Sequence, residues 1–170
     1  MRNIVLTGFM GTGKTEVGKI LAVRLGYSLI DADSEIEREQ GVTITEIFQR
    51  SGEAGFRDIE ADVIRRLSER ERTVISTGGG AVLRQENMDN LRKKGVIVCL
   101  TASAEAIYNR ICTDTGRPLL QVEDPKAKIS ELLAFRKPFY EKADIMIDTE
   151  GKTPGEVAEE IMAKSAEVEK

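Results

Sequence analysis

The sequence predicts an α/β fold in three layers, a five-stranded parallel sheet flanked by helices. Five short β-rich apolar runs punctuate it: Ile4–Thr7, Ser28–Asp31, Val74–Ser76, Val96–Leu100 and Asp144–Asp148. Longer stretches of helical period separate them, and strands alternating with helices imply right-handed crossovers and a sheet covered on both faces. The length of 170 residues, with 41% hydrophobic and 32% charged side chains, suits a single soluble domain spanning 1–170.

The first run leads into a glycine-rich loop and then a helix over Lys14–Leu25, with Val17, Ile20, Leu21 and Leu25 on one face. After the second run, Ser34–Ser51 is polar and helical in character. A charged helix follows from about Glu53 to Arg70, its apolar face carried by Ile59, Val63, Ile64 and Leu67. Further helices are predicted over Gln85–Lys93, Ala104–Cys112, Ala127–Glu141 and Pro154–Ala163. Thr153 before Pro154 has the form of an N-cap followed by proline at the first helical position. Between the fourth helix of this series and the next, Thr113–Asp124 has no clean period, with Gly116 and Pro118 inside it. Such material beside a sheet forms either an ordinary surface loop or a substrate lid. The last residues, Ser165–Lys170, are expected to fray.

Composition excludes several chemistries. There is no histidine, so Ser-His-Asp and Cys-His triads, His-ligated zinc and HExxH sites are absent. Proton transfer falls to Asp, Glu, Lys, Tyr or Cys. With 25 Lys and Arg against 29 Asp and Glu, the net charge of −4 weighs against a broad nucleic-acid surface. Cys99 and Cys112 form no CxxC; Cys99 lies in an apolar run as a buried small hydrophobe, and a reduced, cytoplasmic setting is expected. The chain reaches its glycine loop by Gly8, which leaves no room for a signal peptide, and no apolar stretch approaches the ~18 residues of a membrane span.

Residues Gly8–Thr15 read GFMGTGKT, which satisfies GxxxxGK[ST] between a strand and a helix. Its glycines let backbone N–H groups turn around phosphate oxygens, and the following helix adds its positive end. Lys14 would reach the β- and γ-phosphates and the Thr15 hydroxyl would bind Mg²⁺. No NKxD segment specifies guanine. Asp31 and Asp33 stand at the end of the second strand, where i and i+2 side chains share a face; they either serve one site or cap the next helix. Arg57 and Glu60 within GEAGFRDIE are helical neighbours, either a surface ion pair or an arginine held towards an anion. Thr77-Gly78-Gly79-Gly80 follows the third strand, either as a flexible turn or as bare backbone against a ligand. Arg117 lies in the irregular segment, and Arg136 heads RKPFYEKAD.

Taken together, GFMGTGKT, Asp31-Ala32-Asp33, GEAGFRDIE, Thr77–Gly80, RPLL from Arg117 and RKPFYEKAD resemble shikimate kinase, in order and spacing, over essentially the whole chain. The resemblance implies the P-loop kinase fold and transfer of phosphate from ATP to the 3-hydroxyl of shikimate, on the route to aromatic amino acids. It implies that Asp33 binds shikimate hydroxyls and acts as the base, and that Lys14 and Arg117 act on the transferring phosphate. Gly11, Thr12, Gly13, Lys14, Thr15 and Glu16 would hold the nucleotide with Arg110, Arg117, Thr153 and Pro154, the last three groups around adenine and the lid. Glu16 stands where a small hydroxyl residue is frequent. Asp31 would help hold Mg²⁺ with Thr15. Arg57 and Arg136 would clamp the substrate carboxylate, supported by Glu60, with Gly78, Gly79 and Gly80 against the hydroxyls. The substrate segment would span about 33–60 and the lid about 112–124. The resemblance also implies a monomer whose partners are ATP and shikimate, with neither nucleic acid nor membrane. Another small-metabolite P-loop kinase, such as a gluconate kinase, and a non-catalytic nucleotide-binding module are the alternatives; the missing histidine counts against the former, and the presence of Lys14, Asp33 and Arg136 against the latter.

Overall fold

A computed structural model describes residues 2–113 and 120–168. In chain order the elements are β1 (Asn3–Gly8), α1 (Lys14–Leu25), β2 (Ser28–Asp31), α2 (Ala32–Gln40), α3 (Ile44–Leu67), β3 (Thr73–Ser76) and α4 (Gln85–Lys94). There follow β4 (Gly95–Thr101), α5 (Ala104–Ile111), α6 (Pro125–Tyr140), β5 (Ile145–Asp148) and α7 (Pro154–Val168). The five strands form one sheet in the order β2-β3-β1-β4-β5, with every neighbouring pair parallel. Val5 of β1 is in register with Ile75 on one side and Ile97 on the other.

The central strands β1, β3 and β4 are buried along nearly their whole length because both faces are covered, whereas the edge strands β2 and β5 are partly exposed. Alternate side chains part to opposite layers. Ile4, Leu6, Val96, Val98 and Ile147 pack with Val17 and Leu21 of α1 and Ile161 of α7. Val5, Ile75, Ile97 and Cys99 pack on the other face with Ile64 of α3, Met88 and Leu91 of α4 and Ile129 of α6. From β1 the chain crosses to β2 on one side, and from the adjacent β3 it crosses to β4 on the other, so the loops after β1 and β3 flank a topological switch point, where open α/β sheets place their ligands.

Two boundaries differ from the sequence expectation. The polar segment divides between α2 and the first part of α3, while its separation from the charged helix stands, marked by a break at Gly52, whose φ of 67° and ψ of −176° are not helical. That combination is open essentially to glycine alone, so the break is written at this residue. A capping box between Thr43 and Glu46 starts the helix on the far side of the break. At the C-terminus, α7 continues to Val168 instead of fraying from Ser165, because Ser165 is buried. Thr153 and Glu156 close its N-terminus reciprocally: the Thr153 N–H donates to the Glu156 carboxylate at 2.7 Å and the Glu156 N–H to the Thr153 hydroxyl at 3.2 Å. No helix among the described residues is long and apolar enough to cross a membrane.

Candidate active site

The loop after β1 takes the shape its glycines allow. Gly8 and Gly13 have φ of 127° and 94°, and a Cβ on Gly8 would overlap the Leu100 carbonyl of β4. Gly13 then caps α1, so the helix N-terminus opens directly onto the loop. Inside it, the buried Thr12 hydroxyl donates to the Phe9 carbonyl at 2.7 Å. The Lys14 ammonium donates to the Gly8 and Phe9 carbonyls at 2.8 and 2.9 Å. Glu16 is exposed and pairs with Lys19 at 2.8 Å.

At the end of β2 the strand stops at Asp31 and Ala32 already belongs to α2. The alternation of a strand therefore does not bring Asp31 and Asp33 together. Instead Asp31 caps α2, accepting the Ser34 N–H at 2.9 Å, and Asp33 sits in the first helical turn. Both carboxylates nonetheless line the same space beside Lys14 and Thr15.

Arg57 and Glu60 are not a surface pair. Glu60 is fully buried and accepts from the Arg57 guanidinium at 2.8 Å; Glu53, one turn earlier, also accepts from it at 3.4 Å. Burial, with the Asp33 charge a smaller contributor, raises the Glu60 carboxyl to about 7, against the opposing pull of Arg57 and Arg136. Arg136 is 2% exposed, and its guanidinium lies 5.5 Å from the centre of the Phe9 ring. Among the described residues, Glu60 Oε2, Arg57 Nε and Arg136 Nε are buried without a hydrogen-bond partner. Buried polar groups in native proteins are nearly always satisfied, so such a cluster marks a place prepared for a ligand.

The triple-glycine turn explains itself through these side chains. None of Gly78, Gly79 and Gly80 has positive φ, so dihedral freedom is not the requirement. A Cβ on Gly78 would stand 2.9 Å from Asp33 Oδ1 and 3.1 Å from Glu60 Oε2. One on Gly79 would stand 3.2 Å from Arg136 Nη1, and one on Gly80 would overlap the Arg57 guanidinium. Each glycine makes room for one or two of the charged groups.

Three cavities run along this edge of the sheet. A cavity of about 410 Å³ is walled by Arg57, Glu60, Arg136 and the glycine turn, with Phe48 and Phe56 as its apolar side. A second, of about 200 Å³, holds Lys14, Thr15, Asp31 and the loop glycines. Asp33, Gly78 and Gly79 line both. A third, also about 200 Å³, continues from Gly13 and Glu16 to Arg110, Thr149 and Pro154. Arg110 there donates to the Gly11 carbonyl at 3.0 Å and the Thr149 hydroxyl at 3.2 Å, tying the loop to the turn after β5.

A family model described as shikimate kinase matches residues 10–166. The chain belongs to the shikimate kinase family. The shikimate kinase of Thermodesulfovibrio yellowstonii is 57% identical over 162 residues, covering 95% of this chain and 94% of that protein. That of Caldicellulosiruptor bescii is 50% identical over 163 residues, 96% of this chain and 95% of the relative. Among solved structures, shikimate kinase from Acinetobacter baumannii in complex with shikimate superposes with a TM-score of 0.95 at 40% identity, covering 98% of this chain and 94% of that one. A gluconokinase from Sinorhizobium meliloti, 22% identical with a TM-score of 0.66, shares the fold alone.

In this member of the shikimate kinase family the expected site residues gather at one sheet edge, with two exceptions. Arg117 lies outside the described residues, as does the middle of the expected lid, 114–119. Thr153 caps α7, and of the Thr153-Pro154 pair only Pro154 lines the third cavity. Sequence reasoning missed two partners of the arginines. Glu53 is four residues before Arg57, and Tyr140 four after Arg136, where it donates its hydroxyl to the Gly79 carbonyl at 2.7 Å. The i,i+4 spacing on a helix was the available signal in both cases.

Proposed function

We propose that this protein phosphorylates the 3-hydroxyl of shikimate with ATP, giving shikimate 3-phosphate and ADP within aromatic amino-acid biosynthesis. The observation that carries this reading is Asp33 on the common wall of the two-arginine cavity and the phosphate-loop cavity, in a member of the shikimate kinase family. We assign the larger cavity to shikimate, its carboxylate between Arg57 and Arg136. Arginine suits this because its planar fork binds a carboxylate through paired N–H donors. Glu60 holds Arg57, and the backbone of Gly78, Gly79 and Gly80 flanks the ring hydroxyls. Gly11, Thr12, Gly13, Lys14, Thr15 and Glu16 hold the nucleotide phosphates, and Arg110 and Pro154 face adenine, with Thr153 shaping the turn.

In the transfer, the 3-hydroxyl oxygen forms its bond to the γ-phosphorus as the bond from that phosphorus to the β–γ bridging oxygen breaks. The hydroxyl proton passes to the Asp33 carboxylate. Lys14 and Arg117 balance the charge on the moving phosphoryl group, which is most of what such a reaction asks of a protein. Magnesium fits the residues present: the Thr15 hydroxyl and Asp31 carboxylate are hard oxygen donors on the walls of one cavity. Mg²⁺ bound to nucleotide commonly takes only one or two protein ligands beside phosphate oxygens, and it supplies neutralising charge there. The substrate segment of about 33–60 and a lid of about 112–124 complete the assignment. The assigned site calls for no residue from a second chain, in keeping with a monomer, and the free Cys99 and Cys112 are in keeping with a reduced, cytoplasmic setting.

An ADP-release assay with shikimate, gluconate, AMP or no acceptor tests the reading. Turnover should require shikimate, and a chain that releases ADP equally well without it would refute the assignment. Asp33→Asn should lower kcat by roughly 10²–10⁴-fold while ATP still binds; retained turnover would remove Asp33 as the base.

A further inference from the structure

Phe9 is the second residue of the phosphate loop, and its backbone and its ring serve different parts of the site. Its carbonyl accepts from the Lys14 ammonium at 2.9 Å and from the Thr12 hydroxyl at 2.7 Å. Its ring is 1% exposed, and the Arg136 guanidinium lies over it, 5.5 Å from the ring centre. Arg136 comes from α6 and is itself buried, with Nε lacking a hydrogen-bond partner and no ion pair among the described residues. The glycine turn closes the same corner. A Cβ on Gly79 would stand 3.2 Å from Arg136 Nη1 and 3.4 Å from both the Gly8 oxygen and the Met10 nitrogen, on either side of Phe9. Loop, turn and helix therefore meet around one ring.

We infer that Phe9 is a positioning residue for anion recognition: its ring carries the Arg136 guanidinium through a cation–π contact, and its carbonyl seats that ring in the phosphate loop. The inference rests on the shikimate reading above. A guanidinium taken out of water needs electrostatic support. A further carboxylate would supply it but would oppose the carboxylate of the ligand. An aromatic face attracts the cation through its quadrupole and carries no net charge to set against an anion. Such contacts are strongest when both partners are desolvated, and here both are buried. Phe9 lines neither the two-arginine cavity nor the phosphate-loop cavity, so it acts through Arg136 and has no chemical step of its own. A side chain that merely fills space in the core needs the volume of this ring but not its π electrons, and that difference is measurable.

The test replaces Phe9 in the full chain by phenylalanine analogues bearing increasing numbers of ring fluorines, which weaken the negative face stepwise and keep the ring's shape. The shikimate Kd, read by titration calorimetry, should rise along the series to roughly five- to thirty-fold, the loss of a desolvated cation–π contact. KM for ATP should stay within about two-fold, because the Phe9 carbonyl on Lys14 is unchanged. Phe9→Leu, apolar but without a π face, should lose shikimate affinity to a similar degree; if that variant does not fold, the fluorinated series decides alone. The methyl ester of shikimate lacks the anion, so its affinity should not follow the series. A shikimate Kd flat to within about two-fold, an equal loss for acid and ester, or a parallel loss of ATP would overturn the inference. A wild-type chain that does not bind shikimate refutes the functional reading and this inference with it, whereas a flat series on a chain that binds shikimate refutes this inference alone.

Discussion

Glu60→Gln isolates the energetic consequence of burying a carboxyl at the centre of the clamp. Glu60 has no exposed surface, and burial lifts its carboxyl from an ordinary 4.5 to about 7. Between those values the folded protein holds a proton that the unfolded chain has released, so stability falls as pH rises through this window. Below about 4.5 the contribution is fully favourable, and above about 7 the loss is complete. A tenfold change in proton affinity corresponds to about 1.4 kcal/mol, so the full penalty is about 3 kcal/mol, of which about 2–3 kcal/mol develops between about pH 5 and pH 8. Glutamine has the same shape, can still accept from Arg57, and has no proton to lose. Urea unfolding of both proteins without ligand, at about pH 5 and pH 8, gives the comparison; other titrating groups cancel in the difference. The variant should gain about 2–3 kcal/mol relative to wild type on going to the higher pH, whatever its absolute offset. A difference flat to within about 0.5 kcal/mol would refute the idea that desolvation outweighs the Arg57 and Arg136 charges at this carboxyl.

Two backbone positions give further checks. Gly80→Ala would drive a methyl group into the Arg57 guanidinium, so shikimate affinity measured by titration calorimetry should fall at least ten-fold, by analogy with the loss of a charged hydrogen bond, while nucleotide affinity is retained. Gly52→Ala places a side chain at φ 67°, ψ −176°, and the unfolding free energy should drop by about 1–3 kcal/mol; an unchanged value would mean that α3 does not need its break.

The strands and most helices were legible because both sheet faces are covered and the apolar runs are short and well separated. What escaped was set by contacts between distant segments. The helix break at Gly52 did not escape, since the polar and charged segments read as separate stretches on either side of it. For Asp31-Ala32-Asp33 the cap reading holds at Asp31, which accepts the Ser34 N–H, and the helix so started sets Asp33 in its first turn beside Gly78, which leaves room for the proposed site role. Local sequence poses those readings as rivals because it cannot show that the capped helix starts at the ligand edge. Similarly, the glycines after β3 suggest flexibility or bare backbone. Only tertiary placement of Asp33, Glu60, Arg136 and Arg57 shows that the space of three missing side chains is taken by charged groups.

That placement also resolves how an acidic chain accommodates an anion. The net charge of −4 is an average over the molecule and sets no potential inside a buried cavity. There, Arg57 pairs with Glu60 and Glu53, whereas Arg136 makes no ion pair among the described residues and lies by the Phe9 face and the Gly79 backbone. With Glu60 raised to about 7, the clamp also sheds part of its compensating negative charge near neutral pH. Binding a carboxylate between the arginines would favour the protonated Glu60 further, since like charges in one low-dielectric space oppose each other. The acid that steadies Arg57 therefore yields its charge when the ligand's carboxylate arrives.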